Sequence, residues 1–518
     1  MDWKDFKNLS EAERRDEALF VLGVDIGGAS SAVAYFDAFR MTPEIMDLSG
    51  GYGKPAAPTV VQYVPETGEW VFGEYAVLNG GGRGITIKNL PERLGSKESV
   101  TIGGRAESVP GLLAMFIKDL VGSCKNLNPK AEIAGIVVCV PEFMPENALG
   151  ELKLAFKIAG YGREVIAYVS ERECVFYKYF YAKKLERETA VLLDFGNREL
   201  RGGVYEITPG GGVTVETASL LHEPGLGMKK LNERVEDFFR SLYESGGDLK
   251  KDRRTEESLS LFAYQHRDLL FQKSIRAKPA KLYFNFAYPP FAKTVTGRMA
   301  GELIRPFEEG FERFFRALFN KNLIDGGGRL LPERVDSVVA CGGGYEMLWA
   351  RELTARAFPG AKLYIYKNSK CAAAEGASVL AAATLGLCAA EKVVMEDKFR
   401  LKYDYGFAVT RDGSVKFHPV VERNAYWWQS EFASSLIVNE RVAGPVELEM
   451  IKRDADGRVS PHETLVLEGL PERPKGVTKL DVKLDFLSAG VMTVRLADAG
   501  FGQLFPSAGY AREFIINL

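Results

Sequence analysis

Cysteine is scarce in this chain, with six in 518 residues (Cys124, Cys139, Cys174, Cys341, Cys371 and Cys388). No two of them form a Cys-x-x-Cys pair, which excludes a zinc-finger spacing and argues against a disulfide frame; they read as buried thiols of a reducing compartment. Only four histidines occur, none paired at metal-ligand spacing. Charge of one sign is also missing: the net charge is -2. Bulk electrostatics therefore point to neither nucleic acid nor an acidic membrane surface. No apolar run is long enough to span a bilayer, and the charged stretch from Met1 to Glu17 lacks the apolar core of a signal peptide. The expectation is a cytoplasmic protein. The Gly-rich run Gly80-Gly81-Gly82-Arg83-Gly84 has no Lys-Ser/Thr after it, so it is a surface loop and not a Walker P-loop.

The chain is too long for one ordinary core, so two or more domains are expected. Its 46% hydrophobic and 26% charged residues are a normal soluble balance. Two stretches organise it. Val21 to Phe36 holds two apolar, β-prone runs around Asp25-Ile26-Gly27-Gly28-Ala29. This predicts a hairpin with Asp25 at the end of its first strand. The glycines let a ligand approach the main chain. Successive N–H groups in such a turn can cradle a phosphate, and Asp25 can hold a metal-bound water. An ordinary hairpin turn is the other reading of this stretch alone. Ala190 to Tyr205 repeats the plan around Asp194-Phe195-Gly196-Asn197. Two such hairpins suggest duplicated lobes facing one nucleotide.

Between and beyond the hairpins, periodicity predicts helices at 109–121, 147–159, 171–186, 226–243, 256–278, 296–320 and 372–385. Strands are predicted at 132–140, 165–169, 282–286, 334–341 and 362–366. Ser170 is a good N-cap, with Glu173 three places on to complete a capping box. Phe307, Phe311, Phe314, Phe315 and Leu318 form a stripe that reads as core packing, and Cys174 reads as a buried thiol. From about residue 398 the pattern alternates apolar and polar, which predicts an antiparallel β-sandwich. Four segments result: a polar lead-in at 1–16, a first domain at 17–390, a linker at 391–397 around Val393-Val394-Met395, and the sandwich at 398–518. The aromatic cluster Tyr426-Trp427-Trp428 is either packing or a hydrophobic peptide-binding rim.

These residues resemble the actin-like ATPase superfamily and, within it, the DnaK-type (heat shock protein 70) chaperones. Gly23-Val24-Asp25-Ile26-Gly27 resembles the first phosphate motif of that family. Val137 to Pro141 and the helix after it resemble its strand-proline-helix, and Ser170-Glu171-Arg172 stands where the family has Asn-Glu-Pro. Leu193-Asp194-Phe195-Gly196 resembles the second phosphate motif. Ile275-Arg276-Ala277-Lys278 is similar to part of the adenine-binding helix, Val338 to Gly344 to the adenosine motif, and Ala373 to Ala377 to the closing hinge helix. Leu467 to Val477, Leu480 to Phe486 and the Gly490 turn resemble the peptide-binding domain.

The resemblance implies an α/β actin-like ATPase fold of two ribonuclease-H-like lobes followed by a C-terminal antiparallel β-sandwich. It implies ATP or ADP in the inter-lobe cleft, held by Gly27, Gly28, Ala29, Gly196, Asn197, Lys278, Gly342, Gly343 and Gly344. Asp25 and Asp194 would hold magnesium through waters, with Glu171 and Asp194 catalytic. A polypeptide or protein client would bind the sandwich, with coupling through the linker and co-chaperone-like regulators as further partners. Neither nucleic acid nor membrane is expected. The helical lid over the peptide groove is expected to be missing, since the chain stops at Leu518, where the sandwich ends.

The departures fall on the chemistry. The paired threonines of the first turn are Gly28 and Ala29, and the catalytic lysine position falls near Val77. The Gly-Gly-Thr after the second Asp is Asn197-Arg198-Glu199, and a further Asp is Arg201. Arg198 or Arg201 can serve as phosphate ligands, whereas Glu199 repels a γ-phosphate. The expectation is an Hsp70-like protein with weak or absent ATP hydrolysis. The alternative is a pseudo-ATPase interaction scaffold without turnover, and a sugar-kinase-like phosphotransferase is a weaker third.

Overall fold

A computed structural model describes residues 19–49, 53–78, 84–130, 132–142, 144–181, 183–246, 252–272, 278–320, 332–396, 401–411, 413–423, 425, 432–488 and 491–517. The lead-in at 1–16, most of the Gly80–Gly84 loop, Ile275–Ala277, Tyr426–Trp428 and Gly490 lie outside these residues. The chain divides into two units, Met1–Glu396 and Asp397–Leu518.

Each predicted hairpin heads a sheet, and the two sheets share one strand order. In the first, β1 (Leu19–Ile26) pairs antiparallel with β2 (Ser30–Asp37), which pairs with β3 (Thr42–Ile45). On the other side of β1 lies β4 (Glu132–Val140), parallel to it, and then β5 (Val165–Ser170), parallel to β4. In the second sheet β6 (Glu188–Phe195), β7 (Leu200–Pro209) and β8 (Val213–Glu223) form the antiparallel run. The parallel flank is β9 (Ser337–Cys341) and β10 (Lys362–Ile365). Among the described residues β11 (Val393–Glu396), which pairs in parallel with β8, has no counterpart in the first sheet. It lies within the expected linker at 391–397. The alternating Val393, Met395 pattern closes a sheet edge, with Val393 buried.

Strand parity sets the layers, because successive side chains point to opposite faces. Leu22, Val24 and Ile26 of β1 join Ile136 and Val138 of β4 in a core with α1 (Val109–Gly122) and α2 (Glu146–Ala159). Helix α1 starts where the Ser108 hydroxyl accepts the Gly111 N–H at 3.2 Å. The opposite face, with Val21, Val137 and Cys139, packs on α3 (Glu171–Tyr181), which stops short of the expected residue 186. The Ser170 hydroxyl accepts the Glu173 N–H at 3.2 Å, which is one half of the expected capping box.

In the second sheet Val191, Leu193 and Phe195 share a core with α4 (Met228–Glu244), α5 (Arg253–Leu270), α6 (Gly297–Asn320) and α7 (Leu348–Ala357). The Phe307–Leu318 stripe of α6 is buried there. Ala190, Leu192, Val339 and Cys341 face the shared middle layer, where α8 (Ala372–Thr384) lies against α3. The two helices touch at Gly376, where a Cβ would stand 1.7 Å from the Cys174 carbonyl oxygen. This unit is therefore a mixed α/β body whose two six-stranded sheets lie around a pair of helices.

The second unit is all β. The sheet of β12 (Asp404–Arg411), β13 (Ser414–Val421), β15 (Val446–Arg453) and β16 (Val459–Leu467) runs in the order β13-β12-β15-β16. The other holds β14 (Phe432–Val438), β17 (Thr478–Ser488), β18 (Val491–Asp498) and β19 (Ala511–Asn517) in that order. Phe407, Met450 and Leu465 of one sheet share a core with Val482, Val494 and Ile516 of the other, so the apolar faces close on each other.

Candidate functional site

Parity carries one more residue. Asp25 follows Val21 and Gly23 on the inner face of β1, and Asp194 follows Ala190 and Leu192 on the inner face of β6. Asp25 lies beside Cys139 of β4, and Asp194 beside Cys341 of β9, so the two carboxylates stand at equivalent ends of equivalent strands. Both line one cleft of about 480 Å³, a size suited to a small ligand. Gly27, Gly28, Ala29, Glu171, Gly196, Asn197, Gly342 and Gly343 line it too. Two expected ligands do not. Gly344 is buried with the Phe195 ring where its Cβ would be, and Lys278 is exposed away from the cleft wall. Gly342, at φ 86°, is confined to glycine, since a Cβ would stand 2.4 Å from Oδ1 of Asp194. That contact brings the end of β9 against the second aspartate.

The carboxylates expected to hold a metal already hold cations of the chain itself. Arg201 Nη2 donates to Glu171 Oε2 and to Asp194 Oδ2, each at 2.6 Å. Its Nε lies 3.7 Å from Glu199 Oε1. Burial weakens the Arg201 charge, but Asp194, Glu171 and Glu199 outweigh it and hold the pKa well above the ordinary arginine value. Lys370 Nζ donates to Asp25 Oδ2 at 2.7 Å. Burial pulls the Lys370 pKa down, and Asp25 pulls it further up. Burial raises the Asp25 and Asp194 carboxyls above the usual range, with Lys370 and Arg201 respectively offsetting part of the rise. Magnesium, held through one or two carboxylates and its waters, needs those oxygens open. Of these, Asp25 Oδ1 is buried without a partner, but a lone oxygen beside an ammonium does not make a divalent site. The residues present do not fit the expected ion at Asp25 and Asp194.

The two turns are likewise tied down. At the first, the Thr59 hydroxyl donates to the Gly27 carbonyl at 2.7 Å, and the Thr59 N–H to the Ala29 carbonyl at 2.9 Å. A Cβ on Gly28 would stand 2.5 Å from Oε1 of Glu92, so an acid sits against the turn where the resemblance leads one to expect phosphate. At the second, the Gly196 N–H donates to the Glu199 carbonyl at 3.0 Å. The Gly196 and Asn197 carbonyls accept from the Met228 and Lys229 N–H groups at 3.0 and 2.8 Å, which uses the first donors of α4. Arg198 lines the cleft, is exposed, and makes no ion pair among the described residues.

Sequence reasoning missed Lys370, Glu92 and a cross-cleft contact. The Tyr264 hydroxyl of α5 donates to Glu74 at 3.1 Å, and Lys54 pairs with the same carboxylate. Lys370 and Glu92 have no local signal, since each meets its neighbour only through the fold. Arg201 was legible as a changed position and as a candidate phosphate ligand. Its register opposite Asp194, and hence its pairing, needed the hairpin. Among the described residues no group of three or more His, Cys, Asp and Glu side chains is placed to hold a metal ion.

An α/β body with charged side chains along its cleft, followed by a two-sheet β unit, is the class of protein these features define. Residues 42–244 match the C-terminal part of a family of unknown function (DUF5716), and residues 400–518 a domain of unknown function (DUF8552). The chaperone protein DnaK of Thermosipho africanus is 24% identical over 502 residues, which covers 93% of this chain and 79% of that protein. The DnaK of Thermotoga maritima is 24% identical over 513 residues, covering 95% and 80%. The chain thus has a distant Hsp70-like relationship that runs through both units.

Proposed function

We propose that this protein is a divergent Hsp70-like chaperone with an actin-like nucleotide-binding unit. Its cleft binds ATP or ADP with slow or no hydrolysis, and its two-sheet unit holds polypeptide. The observation that carries this reading is the repeated strand order, which brings an aspartate from each hairpin to one nucleotide-sized cleft. The DnaK likeness across nearly the whole chain supports it.

The geometry also accounts for slow chemistry. A general base must be free to accept a proton. Glu171 Oε2 and Asp194 Oδ2 both accept from Arg201, which takes one oxygen of each carboxylate away from an attacking water. Exposed Arg198 is a cation available to phosphate oxygens, and Gly343, with open space where a Cβ would be, leaves the backbone open to a nucleoside. In the second unit Phe501 and Leu504, on the loop between β18 and β19, expose apolar surface that a polypeptide can cover. The free cysteines suit a reducing, cytoplasmic setting. No helix among the described residues is long and apolar enough to cross a membrane.

Glu92 against Gly28 favours a second reading, a pseudo-ATPase scaffold without a bound nucleotide. Calorimetric titration with ATP, with phosphate release followed in parallel, separates the two. Saturable heat with little phosphate is the expected result. No heat and no thermal stabilisation at millimolar ATP would leave the scaffold.

A further inference from the structure

We infer that Arg201 and Lys370 are built-in counter-cations that stand in for a divalent ion, so that the cleft takes its anionic ligand without a metal. The ligand half of this statement rests on the nucleotide reading above; the cation half does not.

Arg201 bridges as a metal bridges. One nitrogen, Nη2, lies 2.6 Å from an oxygen of Glu171 and 2.6 Å from an oxygen of Asp194. Two carboxylates this close repel unless a cation stands between them. The guanidinium comes from the residue directly across the hairpin from Asp194, so it is placed by the register of β6 and β7. It stays protonated under all ordinary conditions. Lys370 serves the other hairpin: its ammonium is 2.7 Å from Asp25, and 3.0 Å from where a Cβ of Gly27 would be, so it overhangs the first turn. Both cations are tethered, so a chelator cannot remove them. Acidic side chains still outnumber basic ones along the cleft wall. Without Arg201 and Lys370 the excess would repel a phosphate outright.

The test begins with the metal alone. Manganese titrated into the nucleotide-free full-length protein, followed by electron paramagnetic resonance, should show no cleft-bound ion at millimolar concentration, and magnesium should leave the melting temperature unchanged. The Arg201→Met/Lys370→Met variant should melt several degrees lower, bind manganese, and recover part of the loss in magnesium. Should that variant not fold, Lys370→Gln alone is used for the same titration. Manganese bound by the wild type as tightly as by the variant, or no gain of binding in a folded variant, overturns the cation substitution. ADP titrations in magnesium and in EDTA then examine the ligand. Affinities within about twofold are expected, and a tenfold or greater loss in EDTA overturns metal independence. No ADP heat in either buffer sinks the nucleotide reading, and with it the ligand half, while the manganese result still decides the cation half.

Discussion

Asp25 and Asp194 occupy equivalent strand ends, yet the cation on Asp25 comes from 345 residues away and the one on Asp194 from seven. The partner directly across the hairpin explains the difference. Opposite Asp25 is Ala32, which offers no charge, whereas opposite Asp194 is Arg201. Opposite charges facing each other across an antiparallel pair stabilise it locally. The second turn is therefore neutralised as soon as its hairpin forms. The first waits for Lys370, at the entry to α8, to dock from the other end of the unit. The same strand plan thus has one local and one tertiary solution to the same buried charge.

The largest effect should come from breaking the local solution. Arg201→Ala leaves Glu171 and Asp194 facing each other without a cation, and removing one side of a buried pair costs about 3–5 kcal/mol. Urea denaturation of the full chain measures it. Lys370→Ala uncovers only Asp25 and should cost less, about 1–3 kcal/mol. A loss equal to that of Arg201→Ala would break the comparison.

A pair in the second unit sharpens it. Arg473 donates to both oxygens of Asp498 at 2.7 and 2.8 Å. Burial pushes the Asp498 carboxyl up. The Arg473 guanidinium and the Ala508 and Gly500 N–H groups pull it further down, so it ends below the usual range. A depressed folded value stabilises above the unfolded pKa of about 3.9, and the gain is lost as pH falls through the folded value. Amide protection factors in β17 and β18, corrected for the pH dependence of intrinsic exchange, should therefore fall below about pH 4. Asp498→Asn should cost about 1–3 kcal/mol at pH 7 and flatten that acid dependence. The smallest effect belongs to Tyr264→Phe, which removes the hydrogen bond to Glu74 across the cleft and should cost about 0.5–1.5 kcal/mol by the same urea assay.

Much of the frame was legible from local pattern. Alternation and the Asp-x-Gly turns marked both hairpins, Glu132–Val140 was predicted to the residue, and Ser170 announced the start of α3. What escaped depends on contacts distant in sequence. Val393–Glu396 read as a linker because charged residues flank a short apolar run, and only pairing with β8 makes it a strand. The tail of the 256–278 helix ends at Leu270, and Lys278 falls outside both the helix and the cleft. Gly344 was grouped with Gly342 and Gly343 on the glycine run alone. Its neighbour in space is Phe195, which the run does not reveal. The three acidic residues were found from sequence. Of their cations Arg201 was singled out, as a phosphate ligand and not as a partner of Asp194, and Lys370 was missed, because a lysine ahead of an Ala-rich helix carries no sign of the aspartate it will meet.

With nucleotide bound, the acidic cleft should still carry its own cations, Arg201 and Lys370. A crystal structure grown with ADP and manganese, with anomalous scattering collected at the manganese edge, tests it most directly. The expected result is ADP in the cleft near Arg198, with Arg201 and Lys370 still on their carboxylates and no anomalous peak beside Asp25 or Asp194. A manganese peak between those aspartates, with Arg201 and Lys370 swung away, would contradict it.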